Sequence, residues 1–290
     1  MNDNSSGTQA KLQIDHVTLA GPDLAVIQTR FAELGLDAEY GGLHSNGVTH
    51  MALLGFEDGS YIELISTRVP TTRSPLWNAQ IQDNAGPAAW AVRSNDLFQE
   101  RARLSRAGVA VRGPIFMTRD RPDGTALEWD LLFPGDAEPG ATLPFAICDR
   151  TPRELRVSPS PGAARSGIAG IAAVVLGVAS IDATGRLFEQ AYGLGDLTVT
   201  GQSGLGARIG RLADAPVYLA EALPGASWLS NRIERYGDSP AAVLLGSSRN
   251  DQSRPVVPLL PAEDWFGQRV AWIDPAKLFG WRVGLILPAA

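Results

Sequence analysis

One cysteine (Cys148), three histidines and two lysines (Lys11 and Lys277) stand in a chain of 290 residues. A lone thiol excludes an intramolecular disulfide framework and any metal site built from several thiolates. No apolar run reaches the roughly 18 residues that span a bilayer, so no membrane association is expected. Basic residues number 25 against 31 acidic, a formal net charge of −6. That balance lacks the clustered positive surface that neutralises phosphates, which argues against nucleic acid as a partner. The opening residues, 1–11, are small and polar with no basic n-region or apolar h-region, and read as a disordered leader. A cytoplasmic location is the default. What the chain has in quantity is apolar: 44% of residues, against 19% charged, enough core for about two globular domains.

His16, His44 and His50 all fall in the first fifth of the chain. Any histidine-based metal site or general base must therefore be built there. Periodicity predicts a strand over 12–20. A helix follows, capped by Asp23, with Leu24, Ile27, Phe31 and Leu34 on one face and Gly35 closing it. Extended segments come next, the last two flanking Asp58-Gly59. A second cycle starts near Ala88, with Asp96 opening a helix that ends near Gly108. Residues 151–166, rich in Pro, Ser, Gly and Arg, read as a linker. A third cycle starts at Ile168 and a fourth at Pro240, where Pro255, Pro258 and Pro261 break the expected helix. The parse is two domains, 12–150 and 167–290, the second degenerate, each holding paired βαβββ modules in an α+β fold of mixed curled sheets. Gly204-Leu205-Gly206 with Gly210 is a hairpin turn rather than a phosphate-cradling loop, because a strand follows it and not a helix.

The segments Ile14-Asp15-His16-Val17, Gly41-Gly42-Leu43-His44 and Asp58-Gly59-Ser60-Tyr61-Ile62-Glu63 carry a resemblance to a known group of proteins. In the second unit Arg119-Asp120-Arg121-Pro122-Asp123-Gly124, Leu127-Glu128-Trp129 and Leu143-Pro144-Phe145 add to it. Together they resemble the glyoxalase-like domain of the vicinal oxygen chelate superfamily, over about half of the chain. The C-terminal half resembles it by repeat pattern alone. The resemblance implies sheets curled into a cleft and one divalent metal ion, of no specified identity, bound by first- and fourth-strand side chains. It implies no nucleotide cofactor.

Carried over, His16 and Glu63 are the metal-ligand and catalytic positions. The second module offers Trp90 or a neighbouring alanine, then Ala146, Ile147 or Cys148, none a hard-metal ligand. The third and fourth modules offer Val174, Ala220, Val243 and Gly284, so the second domain should be chemically inert, burying apolar surface against the first domain or a second copy in a homodimer. His44, on the loop that matches the family, and His50, Trp90 and Trp129 are the substrate-binding candidates. A two-residue turn at Asp58-Gly59 pairs Leu54 with Glu63 and puts His50 on their face, about 13 Å along the strand from Leu54, a place at the cleft mouth. Three readings follow. One is an enzyme of lyase, isomerase or dioxygenase type acting on a small molecule with vicinal oxygens. It would be metal-assisted by His16 and Glu63, or use them as acid and base. Another is a metal-free binding or sequestering protein on the same scaffold. The third is a structural or regulatory module.

Overall fold

The computed structural model of the protein describes residues 12–201, 203–247 and 257–288. The expected leader, residues 1–11, and Pro255 lie outside them. The first half comprises β1 (Ile14–Ala20), α1 (Leu24–Ala32), β2 (Glu39–Leu43), β3 (Thr49–Gly55) and β4 (Tyr61–Thr67). After them come α2 (Asn78–Gln82), β5 (Gly86–Arg93), α3 (Leu97–Arg106), β6 (Val111–Asp120), β7 (Ala126–Pro134) and β8 (Phe145–Asp149). Its eight strands form one sheet in the order β2-β3-β4-β1-β5-β8-β7-β6. β1 runs parallel to β4 and antiparallel to β5, which joins two βαβββ modules edge to edge.

Two short helices, α4 (Arg153–Arg156) and α5 (Pro161–Arg165), lead into the second half. There β9 (Ile168–Gly177), α6 (Ile181–Tyr192), β10 (Leu197–Thr200), β11 (Ala207–Leu212) and β12 (Val217–Ala222) form a third module. The fourth follows α7 (Ser227–Tyr236) and consists of β13 (Ser239–Ser247), β14 (Glu263–Trp265), β15 (Gln268–Trp272) and β16 (Arg282–Leu287). The order β10-β11-β12-β9-β13-β16-β15-β14 repeats that of the first sheet. Among the described residues no helix stands between β13 and β14. The paired-module strand order is therefore present twice, and the fourth module lacks its helix among the described residues.

Local chemistry explains the helices. Asp23 accepts a hydrogen bond from the Val26 amide, α1 buries Leu24, Ile27 and Phe31, and Gly35 adopts φ +75° beyond its end. Asp96 caps the Phe98 and Gln99 amides of α3 in the same way. In each strand alternate side chains face these helices. Val17, Leu19, Ile62, Leu64 and Trp90 belong to one core cluster with Phe188, Val174 and Val243 of the second half. The halves thus share a core. Arg232 of α7 ties them further, donating to the carbonyls of Ala85, Pro87 and Pro240.

Three expectations change here. The β3–β4 connection is a three-residue loop, Glu57 to Gly59, closed by the Phe56 amide on the Ser60 carbonyl at 2.9 Å, with Gly59 at φ +79°. Leu53 therefore faces Glu63, and Leu54 lies in the helix-side core. Trp90 is fully buried in that core, its ring 6.3 Å from Phe188 and its indole N–H on the Thr142 carbonyl. Residues 151–166 are a structured strap: Arg156, Ser160 and Ala163 are buried, and Ser160 Oγ accepts from the Gly55 amide.

Candidate functional site

The opposite, concave face of the first sheet carries His16 and Thr18 from β1 and Tyr61 and Glu63 from β4, paired in register. Neighbours in sequence normally point to opposite faces of a strand. A bulge in β1 breaks that rule, because Ile14 faces Val92 while His16 faces Ala91, leaving Asp15 as the extra residue. Asp15 can then reach its neighbour, and its Oδ1 lies 2.7 Å from His16 Nδ1.

Asp15 is fully buried. Burial alone would raise its carboxyl, but the Arg156 guanidinium and the contact with His16 outweigh that and hold it well below the usual carboxylate range. An ionised carboxylate only accepts hydrogen bonds. His16 Nδ1 therefore carries the proton, and Nε2 is the nitrogen left for the cleft. The imidazole is stacked on Tyr61, with centroids 4.7 Å apart, and meets the Phe145 ring edge-on at 5.3 Å. Arg156 grips both Asp15 oxygens at 3.0 Å and donates to the Tyr61 hydroxyl at 2.7 Å. Arg153 adds a further bond to Asp15.

Glu63 is engaged elsewhere. Its Oε2 accepts from Thr18 Oγ1 at 2.9 Å and its Oε1 from His44 Nε2 at 3.2 Å, while His44 Nδ1 rests on Thr49 Oγ1 at 2.8 Å. Burial pushes the Glu63 carboxyl up. The hydrogen bond from His44, the charges of His44 and His16, and the bond from Thr18 together bring it down to about 2. The histidine–carboxylate pairs of the site are thus His16 with Asp15 and His44 with Glu63.

These groups sit at one end of a cavity of about 140 Å³. Met117, Trp129, Leu131, Phe145 and Ile147 make its apolar wall, and Leu76 and Trp77 close it from the segment before α2. Of the expected residues, His16, His44, Glu63 and Trp129 line this cavity together. His50 does not: it pairs with Ser66, shares the helix-side face of β3 with Ala52 and Leu54, and lies 6.0 Å from the Tyr40 ring. Trp90 is core. Tyr61, Arg156 and Arg119 also line the cavity and were not singled out in the sequence as site residues. The alternation signal placed Tyr61 two residues from Glu63, on the same face. Nothing local announces Arg156, whose partner Asp15 is 141 residues away.

The donor set does not fit the divalent metal that the family resemblance implies. By register, Ala91 faces Phe145 as His16 faces Tyr61, so Ala91 and Ile147 stand where the second module would supply ligands. Neither can coordinate a cation. Both Glu63 oxygens are already engaged. Among the described residues no group of three His, Cys, Asp or Glu side chains converges as a metal site would require. Among the described residues the second sheet offers no alternative: its concave face is packed with Tyr218, Trp265 and Trp272, with ring centroids 5.4 and 5.8 Å apart. At Gly284 a Cβ would meet the Trp272 ring at 2.8 Å.

The lowered Glu63 carboxyl gives a pH signature. A group whose folded value lies below its unfolded value stabilises above the unfolded value, and that stability is lost as pH falls through the folded one. For Glu63 the window runs from 4.5 down to about 2, and Asp15 acts in the same direction. Melting temperature is expected to drop steeply below about pH 4.5, with a shallower slope in Glu63→Gln. Equal slopes in the two proteins would assign the acid lability to other groups.

A family model described as a glyoxalase-like domain matches residues 14–192, which covers the first sheet, the strap and the start of the second half. No curated protein sequence matches the chain. Among solved structures, a hypothetical protein from Staphylococcus aureus aligns with a TM-score of 0.60 at 15% identity, over 94% of this chain and 98% of that one. A mutant of 4-hydroxymandelate synthase from Streptomyces coelicolor aligns at 0.58 and 11%, over 95% and 92%. At such identities the likeness is one of fold, and it extends across both halves. The sequence match spans more than half of the residues, and the chain belongs to the glyoxalase-like domain family, on the fold of the vicinal oxygen chelate superfamily.

Proposed function

We propose that the protein is an enzyme that moves a proton on a small molecule held in the first-sheet cavity, at a carbon next to an oxygen-bearing carbon. The observation that carries this reading is the buried Asp15–His16 pair. A carboxylate on Nδ1 fixes the tautomer and ring orientation, so that Nε2 is presented as a proton acceptor. Glu63 is a poor candidate for that base, because a carboxylate at about 2 has little proton affinity near neutral pH. Tyr61 complements His16. Its oxygen accepts from Arg156, leaving the hydroxyl hydrogen to donate to negative charge that develops on a substrate oxygen. Burial pushes the Tyr61 hydroxyl up from its ordinary value, so it stays protonated. His16 removes the proton, Tyr61 steadies the enolate oxygen, and return of the proton completes an isomerisation or exchange. The Glu63–His44–Thr18 network positions the substrate on the other side.

The test is deuterium wash-in at carbons next to carbonyl groups, followed by NMR over a panel of small ketones and keto acids. His16→Gln is expected to slow exchange roughly 100- to 10,000-fold with little change in melting temperature. Dialysis against a chelator is expected to leave the rate intact. Loss of exchange on chelation, with recovery on adding a divalent cation, would instead favour a metal held by His16 and Glu63. Binding with no exchange by the wild type would leave a binding or sequestering protein on the same scaffold.

A further inference from the structure

Three arginines are buried around the shared core and the cavity, and two of them are fully employed. Arg156 divides its donors among Asp15, Asp149 and Tyr61. Arg232 is caged by three backbone carbonyls. Arg119 differs. It is the one buried residue of β6, 5% exposed, and it lines the same cavity as His16. Its Nη1 donates to the Gly41 carbonyl of β2 at 2.6 Å and lies 3.5 Å from Met51 Sδ. Gly41 permits that approach, since a Cβ there would stand 2.9 Å from Nη1. Among the described residues Nε is buried without a hydrogen-bond partner, Nη2 has no hydrogen bond and no carboxylate pairs with the guanidinium.

A buried charge is retained only where something compensates it. The Gly41 carbonyl fixes one corner of the guanidinium and leaves Nε and Nη2, its other edge, without a hydrogen-bond partner among the described residues. That edge is a planar fork whose two N–H bonds match the two oxygens of a carboxylate. Met117, Leu131, Phe145 and Ile147 give the cavity an apolar wall beside its polar groups, and about 140 Å³ is a volume that takes a benzene-sized guest in other proteins.

We propose that Arg119 anchors the carboxylate of a small organic acid whose apolar body, benzene-sized or smaller, lies against Leu131, Phe145 and Ile147. The proposal rests on reading this cavity as the active site, and it narrows the substrate to one that carries a carboxylate. Arg119 is then a binding residue that orients the substrate's carbon skeleton toward His16.

The experiment is isothermal titration of the full chain with benzoate and isobutyrate and their neutral counterparts benzamide and isobutyramide. At least one carboxylate is expected to bind about tenfold or more tightly than its amide. Arg119→Met should abolish that preference while leaving amide binding within about threefold, and Arg119→Lys, which keeps the charge but loses the fork, should fall between. His16→Gln should keep the preference. No carboxylate preference in the wild type, or equal weakening of acid and amide in Arg119→Met, overturns the anchor and leaves Arg119 as a staple between β2 and β6. The comparison of acid with amide needs no variant, so it decides even where Arg119→Met fails to fold. A carboxylate preference without proton exchange would end the catalytic reading and keep the anchor; exchange without the preference would do the reverse.

Discussion

Replacing Arg156 with methionine is expected to lower stability by about 3–5 kcal/mol, the range for breaking a buried ion pair by removing one partner. The residue is 5% exposed and Asp15 is fully buried. The methionine restores much of the volume but none of the five hydrogen bonds to Asp15, Asp149 and Tyr61. Asp15 keeps Arg153, His16 and, at 3.8 Å, Arg93 as partners, so the loss comes mainly from the bidentate pair and its hydrogen bonds removed from a buried carboxylate. Asp15→Asn in the same chain removes that carboxylate, so the double variant should recover part of the loss. Urea denaturation of the two single variants and the double variant gives the coupling energy directly. A loss below about 1 kcal/mol in Arg156→Met would mean that the strap is no more than a tether.

The second large effect belongs to Arg232. Burial lowers its guanidinium to about 10, with Tyr236 alone pulling the other way, because carbonyls rather than a carboxylate surround it. Arg232→Met strands the carbonyls of Ala85, Pro87 and Pro240 at the junction of the two halves. At about 1–3 kcal/mol for each stranded group, offset by relief of the buried charge, a net loss of about 3 kcal/mol is expected. Lysine should rescue little of it, since one ammonium cannot span three carbonyls that the guanidinium reaches with separate nitrogens. The unfolding transition should nevertheless stay single. Val17, Trp90, Phe188 and Val243 lie in one cluster that crosses the junction, so neither half can lose its packing alone. Two resolved calorimetric transitions in Arg232→Met would show that the arginine, and not the shared core, couples the halves.

The repeat of βαβββ units was legible because each helix announces itself twice, by an aspartate at its start and a glycine past its end. Asp23 and Gly35 do so for α1, and Asp96 and Gly108 for α3. The place of His16, Glu63 and Trp129 on the cavity face was legible because strand parity and the family motifs agree on it. His50 was not. Whether Asp58-Gly59 closes a loop of two residues or three cannot be told from the pair itself, and one residue of register moves every β3 side chain to the other face. For Trp90 the reason is similar. Strand parity there depends on where β1 bulges, and the bulge puts Ala91, not Trp90, beside His16 on the concave face. The strap misleads by composition: its prolines and serines suggest a flexible linker, while Arg153 and Arg156 find their carboxylate 138 and 141 residues away. Arg119 stood inside a recognised motif, yet its burial depends on the sheet curling until β6 meets β2. No local pattern encodes that closure.

The packed concave face of the second sheet bears on how this protein can evolve. An open polar cavity forfeits the dispersion contacts that a filled one makes, and the half that keeps such a cavity also carries charged groups in dry places. The other half has Trp265 and Trp272 where an opening would be and is fused to the first through a common interior. The open cavity and the filled face thus fall to different copies of one repeated module. Substitutions that reshape the first-sheet cavity leave the aromatic packing of the second sheet untouched, a reserve of stability against which they can be accepted while the scaffold stays folded.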